Sequence, residues 1–113
     1  MPNRIVRFIP ILATGAMVCG DALAQTSPTL RGEAIAQRLC ARCHAIGRTG
    51  ESPAGRAPAF RDLSKRYPIE HLAEALAEGI VTGHSGMPQF TFEPREIEAL
   101  LSYLHSLAPQ KAQ

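Results

Sequence analysis

The chain has 113 residues, 45% of them apolar and 19% charged, with a formal charge of +2 and no tryptophan. That length suits one small domain, and so slight a positive charge with few aromatic residues gives no case for nucleic-acid binding. A core this poor in large side chains is marginal by itself, so a staple, metal or cofactor is expected to help it fold.

Residues 1–24 read as an export signal. Arg4 and Arg7 supply a positive start, and the apolar stretch from Phe8 to Gly20, interrupted by Pro10, is shorter than the roughly 20 residues a spanning helix needs. Ala22-Leu23-Ala24 is a small-x-small pattern that places cleavage before Gln25. Cys19 follows Val18, which is bulkier than lipoprotein processing favours, and Arg4 and Arg7 are not adjacent, which argues against a twin-arginine signal. The expected product is a single periplasmic domain, residues 25–113, with no stable membrane span. Its only sulfur-bearing residues are Cys40, Cys43 and Met87.

The rest reads as helices joined by glycine- and proline-rich loops, with no alternating β-branched run, so the predicted class is all-α. The first helix should start at Ser27-Pro28-Thr29, a cap residue followed by proline, and run into Cys40 with Leu30, Ile35 and Leu39 as an apolar stripe. Gly32 offers a place for another helix to approach. A loop from Gly47 to Ala57 follows. Phe60, Leu63 and Tyr67 predict a short helix ended by Pro68, which opens the next one. There Ile69, Leu72, Ala73 and Leu76 face inward, Glu70, Glu74 and Glu78 face outward, and Gly79 is the stop. Ile80 to Phe92 reads as an ordered loop. The last helix begins at Glu93-Pro94, buries Ile97, Leu100, Leu101, Leu104 and Leu107, and stops at Pro109.

Cys40-Ala41-Arg42-Cys43-His44 is a C-x-x-C-H sequence, the attachment pattern of c-type haem. Two thiols three residues apart on a helical turn face the same way, so both can add to vinyl groups along one side of a porphyrin, and His44 then emerges at the iron. Two other chemistries use such residues. A disulfide of the thioredoxin kind needs a βαβ framework that is missing, and a tetrahedral zinc site lacks a second ligand pair. The reading is one covalently bound haem c, with Cys40, Cys43, His44 and Met87 as cofactor-binding residues and His44 and Met87 as iron ligands.

Candidates for the second axial position are Met87, His71, His84 and His105. Met87 lies in Gly83-His84-Ser85-Gly86-Met87-Pro88, where proline and glycines can stiffen a loop that presents the thioether. His84 is the next choice, whereas His71 and His105 fall at polar helix positions. Histidine and methionine together leave no open coordination position, so the expected role is electron exchange rather than enzyme catalysis. A cavity is expected between Cys43, His44, Met87 and Tyr103.

Residues 29 to 108 resemble the class I c-type cytochromes, specifically the small bacterial monohaem type. The resemblance rests on Gly32, Leu39 to His44, Ala57-Pro58-Ala59-Phe60, Gly83 to Phe90, and Glu96 to Leu104. It implies the cytochrome c fold, about four helices around one haem. It also implies a helix crossing between Gly32 and Leu101 or Tyr103, and a proline carbonyl against the proximal imidazole, at Pro58 or else Pro53. Tyr67 and Arg61 fall where propionate or ligand-supporting hydrogen bonds would arise. Redox proteins, such as a dehydrogenase, reductase or terminal oxidase, are the implied partners. A ligand-binding sensor or peroxidase, and a subunit of a larger oxidoreductase, are the competing readings.

Charge divides along the chain. Residues 25–66 hold eight cations (Arg31, Arg38, Arg42, Arg48, Arg56, Arg61, Lys65, Arg66) against Glu33, Glu51 and Asp62, and residues 67–113 hold Arg95 and Lys111 against six glutamates. The basic half carries the attachment segment, which raises either a positive rim that steers an acidic partner or a merely solvated face.

Overall fold

The computed structural model describes residues 26–79 and 86–109. The expected signal segment and its cleavage point, Gly83, His84 and the last four residues lie outside the described residues. Among those described there are four α-helices, two 3₁₀ turns and no strand, which is the all-α class.

The first helix, α1, spans Pro28–Leu39. Ser27 Oγ accepts the Leu30 N–H at 3.2 Å, and Pro28 occupies the first turn, where an N–H would have no helical partner. Ser27→Ala should therefore cost about 1 kcal/mol, read as a lower urea midpoint of the holoprotein; an unchanged midpoint would show the cap to be idle. The buried residues of α1 are Gly32, Ile35 and Ala36. Leu30, expected in the stripe, is 56% exposed. It stands two residues, just over half a turn, from Gly32, so once Gly32 faces a partner helix Leu30 must face solvent.

That partner is the last helix, α4, Pro94–Leu107. It starts as expected after Glu93, whose N–H donates to Glu96 Oε2 at 3.1 Å. α1 crosses α4 in the most extensive helix contact of the fold. A Cβ built on Gly32 would lie 2.6 Å from the Ala99 carbonyl carbon and 2.8 Å from Tyr103 Cβ. The crossing partners are thus Ala99 and Tyr103, not Leu101, which is only partly buried. α4 buries a wider arc than its leucine stripe, adding Ala99 and Tyr103 to Ile97, Leu100, Leu104 and Leu107.

Two short helices complete the frame, and each is entered through a 3₁₀ turn rather than being α-helical throughout. Phe60–Asp62 leads into α2, Leu63–Arg66, and Ile69–His71 leads into α3, Leu72–Glu78. Both turns follow an extended residue, Ala59 and Pro68, whose carbonyls accept from Asp62 and His71 three residues on. α3 buries Ile69 of its lead-in turn and Leu76, and ends at Gly79, where φ is +87°. The chain returning from residue 86 is fastened to α3 by the Phe92 N–H donating to the Leu76 carbonyl at 3.0 Å. An exposed pair, His105 Nε2 to Glu70 Oε1 at 3.0 Å, adds little.

The Tyr103 hydroxyl donates to the Ile46 carbonyl at 2.8 Å, tying α4 to the segment after His44. Burial first, then the charge of Glu33, raises its phenol above the ordinary tyrosine value. The protonated phenol is the form the fold holds. Its contribution is complete below about pH 10 and is lost as pH climbs through the raised value. Tyr103→Phe should cost about 1 kcal/mol at neutral pH and flatten the loss of stability above pH 10, measured by denaturation across alkaline buffers.

Candidate haem-binding site

The attachment segment continues α1 as a tight turn. Cys40 and Ala41 both donate to the Ala36 carbonyl, at 2.8 and 3.0 Å, and Cys43 and His44 both donate to the Cys40 carbonyl, at 3.1 and 2.9 Å. Cys40 and Cys43 are free, half-buried thiols on one cavity wall system. Burial, and secondly the neighbouring Cys43, pushes the Cys40 thiol up to about 11, so it is protonated at neutral pH.

His44 is held in one orientation. Its Nδ1 lies 2.8 Å from the Pro58 carbonyl oxygen. A carbonyl can only accept, so Nδ1 carries the hydrogen and Nε2 keeps the lone pair needed to bind a metal. The Phe60 ring packs against the imidazole, with centroids 5.3 Å apart and planes inclined by 51°. Phe60 is itself located by its N–H donating to the Ala45 carbonyl at 2.9 Å, while the Ala45 N–H donates to Ser52 Oγ at 3.0 Å. The Ala54 N–H reaches the Cys43 carbonyl at 3.0 Å and folds the loop against the attachment turn. Pro53, the other candidate for the imidazole contact, is exposed.

Cys40, Cys43, His44 and Met87 line one cavity of about 540 Å³. Its walls are leucines from every helix, Leu39, Leu63, Leu72, Leu76, Leu100 and Leu104, together with Phe60, Phe90 and Phe92. Volume and lining match a site for a largely apolar cofactor, and a close-packed interior does not otherwise keep so large a void. A flat tetrapyrrole fits this donor set: apolar walls, two thiols on one turn, an imidazole of fixed tautomer and a thioether. Among the described residues no group of three or more His, Cys, Asp or Glu side chains is arranged to hold a bare metal ion.

Not every expected residue is at the cavity. Tyr103 is absent from its lining because that side chain lies in the α1 crossing, and Leu100 and Leu104 present the wall instead. His71 and His105 are exposed and outside the lining, and His84 lies outside the described residues. Tyr67 reaches the cavity while 37% exposed. Arg61 does not line it: one guanidinium nitrogen donates to the Gly50 carbonyl at 2.7 Å and the other terminal nitrogen is buried with no partner among the described residues. The residues that sequence reading missed are Ser52, Phe60 as the support of the imidazole, and Arg56 on the cavity lining. Nothing local marks Ser52 or Arg56, since both act only through the path of the 47–57 loop.

A family model described as cytochrome c oxidase, cbb3-type, subunit III matches residues 27–104. No curated protein matches the chain, and no solved structure does. The matched span runs from the cap of α1 through the attachment turn and the cavity to Leu104 of α4. One haem c is bound covalently, through thioethers from Cys40 and Cys43. With its all-α frame, its C-x-x-C-H turn and this match over most of its length, the chain belongs to the cbb3-type cytochrome c oxidase subunit III family, as a small class I c-type cytochrome domain.

Proposed function

We propose that the protein is an exported one-electron carrier in which His44 Nε2 and the Met87 sulfur would hold the haem iron. The observation that carries this reading is the Nδ1 contact to Pro58 at 2.8 Å, with Met87 lining the same cavity. Met87 is half-buried; Gly86 before it adopts φ +116°, a conformation open to glycine, and Pro88 after it restricts the backbone. When bound, haem iron supplies reversible one-electron exchange. With His44 and Met87 both engaged, the iron would keep no open position for a substrate, which supports a carrier rather than an enzyme. A thioether in one position also favours the reduced state relative to two imidazoles.

Carbon monoxide tests this. The reduced native protein should not bind it, whereas Met87→Ala should bind it, lose the sulfur-to-iron absorption of the oxidised form and show a lower midpoint potential. Uptake by the native protein would favour a ligand sensor or peroxidase instead, and a strongly negative native midpoint would remove Met87 from the iron.

The family description names an oxidase subunit. It supports a terminal oxidase as electron acceptor, with the domain either diffusing to it or bound within it. No described helix is long and apolar enough to cross a membrane. We assign residues 1–24 to a cleaved signal and the remainder to the periplasm, on the charge, length and Ala22-Leu23-Ala24 pattern given above. Intact mass of protein recovered from the periplasm should correspond to a chain beginning at Gln25 plus one haem; a mass retaining the leader would overturn that assignment.

A further inference from the structure

The structure assigns to Ser52 a positioning role: its hydroxyl holds the peptide that follows His44, fixes the direction in which the imidazole points into the cavity, and thereby sets the midpoint potential. The inference rests on the carrier reading above, in which His44 binds the iron.

Three consecutive residues, Cys43, His44 and Ala45, are bonded to the loop that follows them. The Cys43 carbonyl accepts from the Ala54 N–H at 3.0 Å, His44 Nδ1 donates to the Pro58 carbonyl at 2.8 Å, and the Ala45 carbonyl accepts from the Phe60 N–H at 2.9 Å. Each of these loop partners is a main-chain atom, which a change of side chain does not remove. The fourth bond is different, because the Ala45 N–H donates to a side chain, Ser52 Oγ, at 3.0 Å. The peptide before His44 is held by its N–H donating to the Cys40 carbonyl at 2.9 Å, and the peptide after it is held by Ser52. Peptide units are planar, so fixing one on each side of the His44 Cα fixes the direction of its side chain. Pro58 then sets the rotation of the ring.

The neighbours of Ser52 place it for this task. The Gly50 carbonyl, two residues before it, accepts from Arg61 at 2.7 Å, and Ala54, two residues after it, is tied to Cys43. Pro53 follows directly and disfavours a helical conformation at Ser52. Ser52 is half-buried and absent from the cavity lining, so it acts through His44 rather than on the cofactor. Ala45 is only 8% exposed, which leaves its N–H little access to water once the hydroxyl is gone. The peptide must then turn toward another acceptor and draw the imidazole away from Pro58. A weaker bond at Nδ1 makes the imidazole a poorer electron donor, which favours the ferrous state.

Two measurements on the holoprotein read this out: exchange of the His44 Nδ1 proton with deuterated solvent, followed by nuclear magnetic resonance in the reduced state, and the midpoint potential from voltammetry. Ser52→Ala should speed the exchange by about fivefold and raise the midpoint. Ser52→Thr keeps the hydroxyl and should restore both values. Ser27→Ala weakens the cap at the opposite end of α1 from the attachment turn, and should move neither. In the native protein, with no substitution, the Ala45 amide should exchange as slowly as the Phe60 amide.

Unchanged exchange and midpoint in Ser52→Ala, a midpoint that falls, no rescue by threonine, equal shifts in Ser27→Ala, or a freely exchanging Ala45 amide would each overturn the role of Ser52 and leave the carrier intact. A native protein without a reversible one-electron wave would instead overturn the carrier reading.

Discussion

Gly32→Val should leave the domain unable to hold its native helix crossing, with stability lowered by at least about 3 kcal/mol. The reason is geometric. Even a single Cβ at this position meets the Ala99 backbone and comes within 2.8 Å of Tyr103 Cβ. Backbone atoms of α4 cannot rotate away as a flexible side-chain end could, so the two helices must separate. Separation uncovers Ala36, which is fully buried, and Ala99, at 1% exposure. It also draws Tyr103 off the Ile46 carbonyl, loosening the segment that follows His44. The variant should unfold at lower urea and retain less haem than wild type. A holoprotein with an unchanged midpoint would show that α1 and α4 do not cross as described.

Cys40→Ala with Cys43→Ala should yield a chain with no covalently attached haem and no cooperative unfolding transition. Both thiols line the cavity, and no other described cysteine can replace them. Leucines from four helices face the same space of about 540 Å³, and without the group that fills it they lose contact partners across the void. Losses of cavity type scale at about 24 cal/mol per Å³, so a void of this size costs on the order of 10 kcal/mol, comparable to the roughly 5–15 kcal/mol by which typical domains are stable. Haem staining after denaturing electrophoresis, with circular dichroism through a urea series, would check both halves. Covalent haem in the double variant would remove the cysteines from attachment, and a cooperative transition without haem would show the helical frame to be stable alone.

How much of this was legible in the sequence depends on how far apart the interacting residues are along the chain. The cap at Ser27, the stop at Gly79, the start of α4 at Glu93-Pro94 and the attachment turn all depend on bonds spanning a few residues, and each lies where local pattern places it. Leu30 was misplaced because an apolar residue near a helix start gives no information on which side the partner helix will lie. Tyr103 was misplaced for a related reason: α4 has two buried sides, and only the course of α1 decides which one meets the cavity. The two 3₁₀ entries are not distinguished in the sequence from the helices they open, because periodicity cannot resolve a single turn.

By itself the sequence determined the helical class, the attachment of haem through Cys40 and Cys43, and His44 as the adjacent imidazole, because a three-residue spacing on a turn is a local mechanical constraint. Tertiary structure alone decided that Pro58 rather than Pro53 fixes that imidazole, that Met87 shares its cavity, and that Arg56 lines it. Those outcomes follow from loop paths closed by hydrogen bonds such as Ala54 to Cys43 and Phe60 to Ala45. Their partners are brought together only when the whole chain packs, so no short stretch of sequence encodes them.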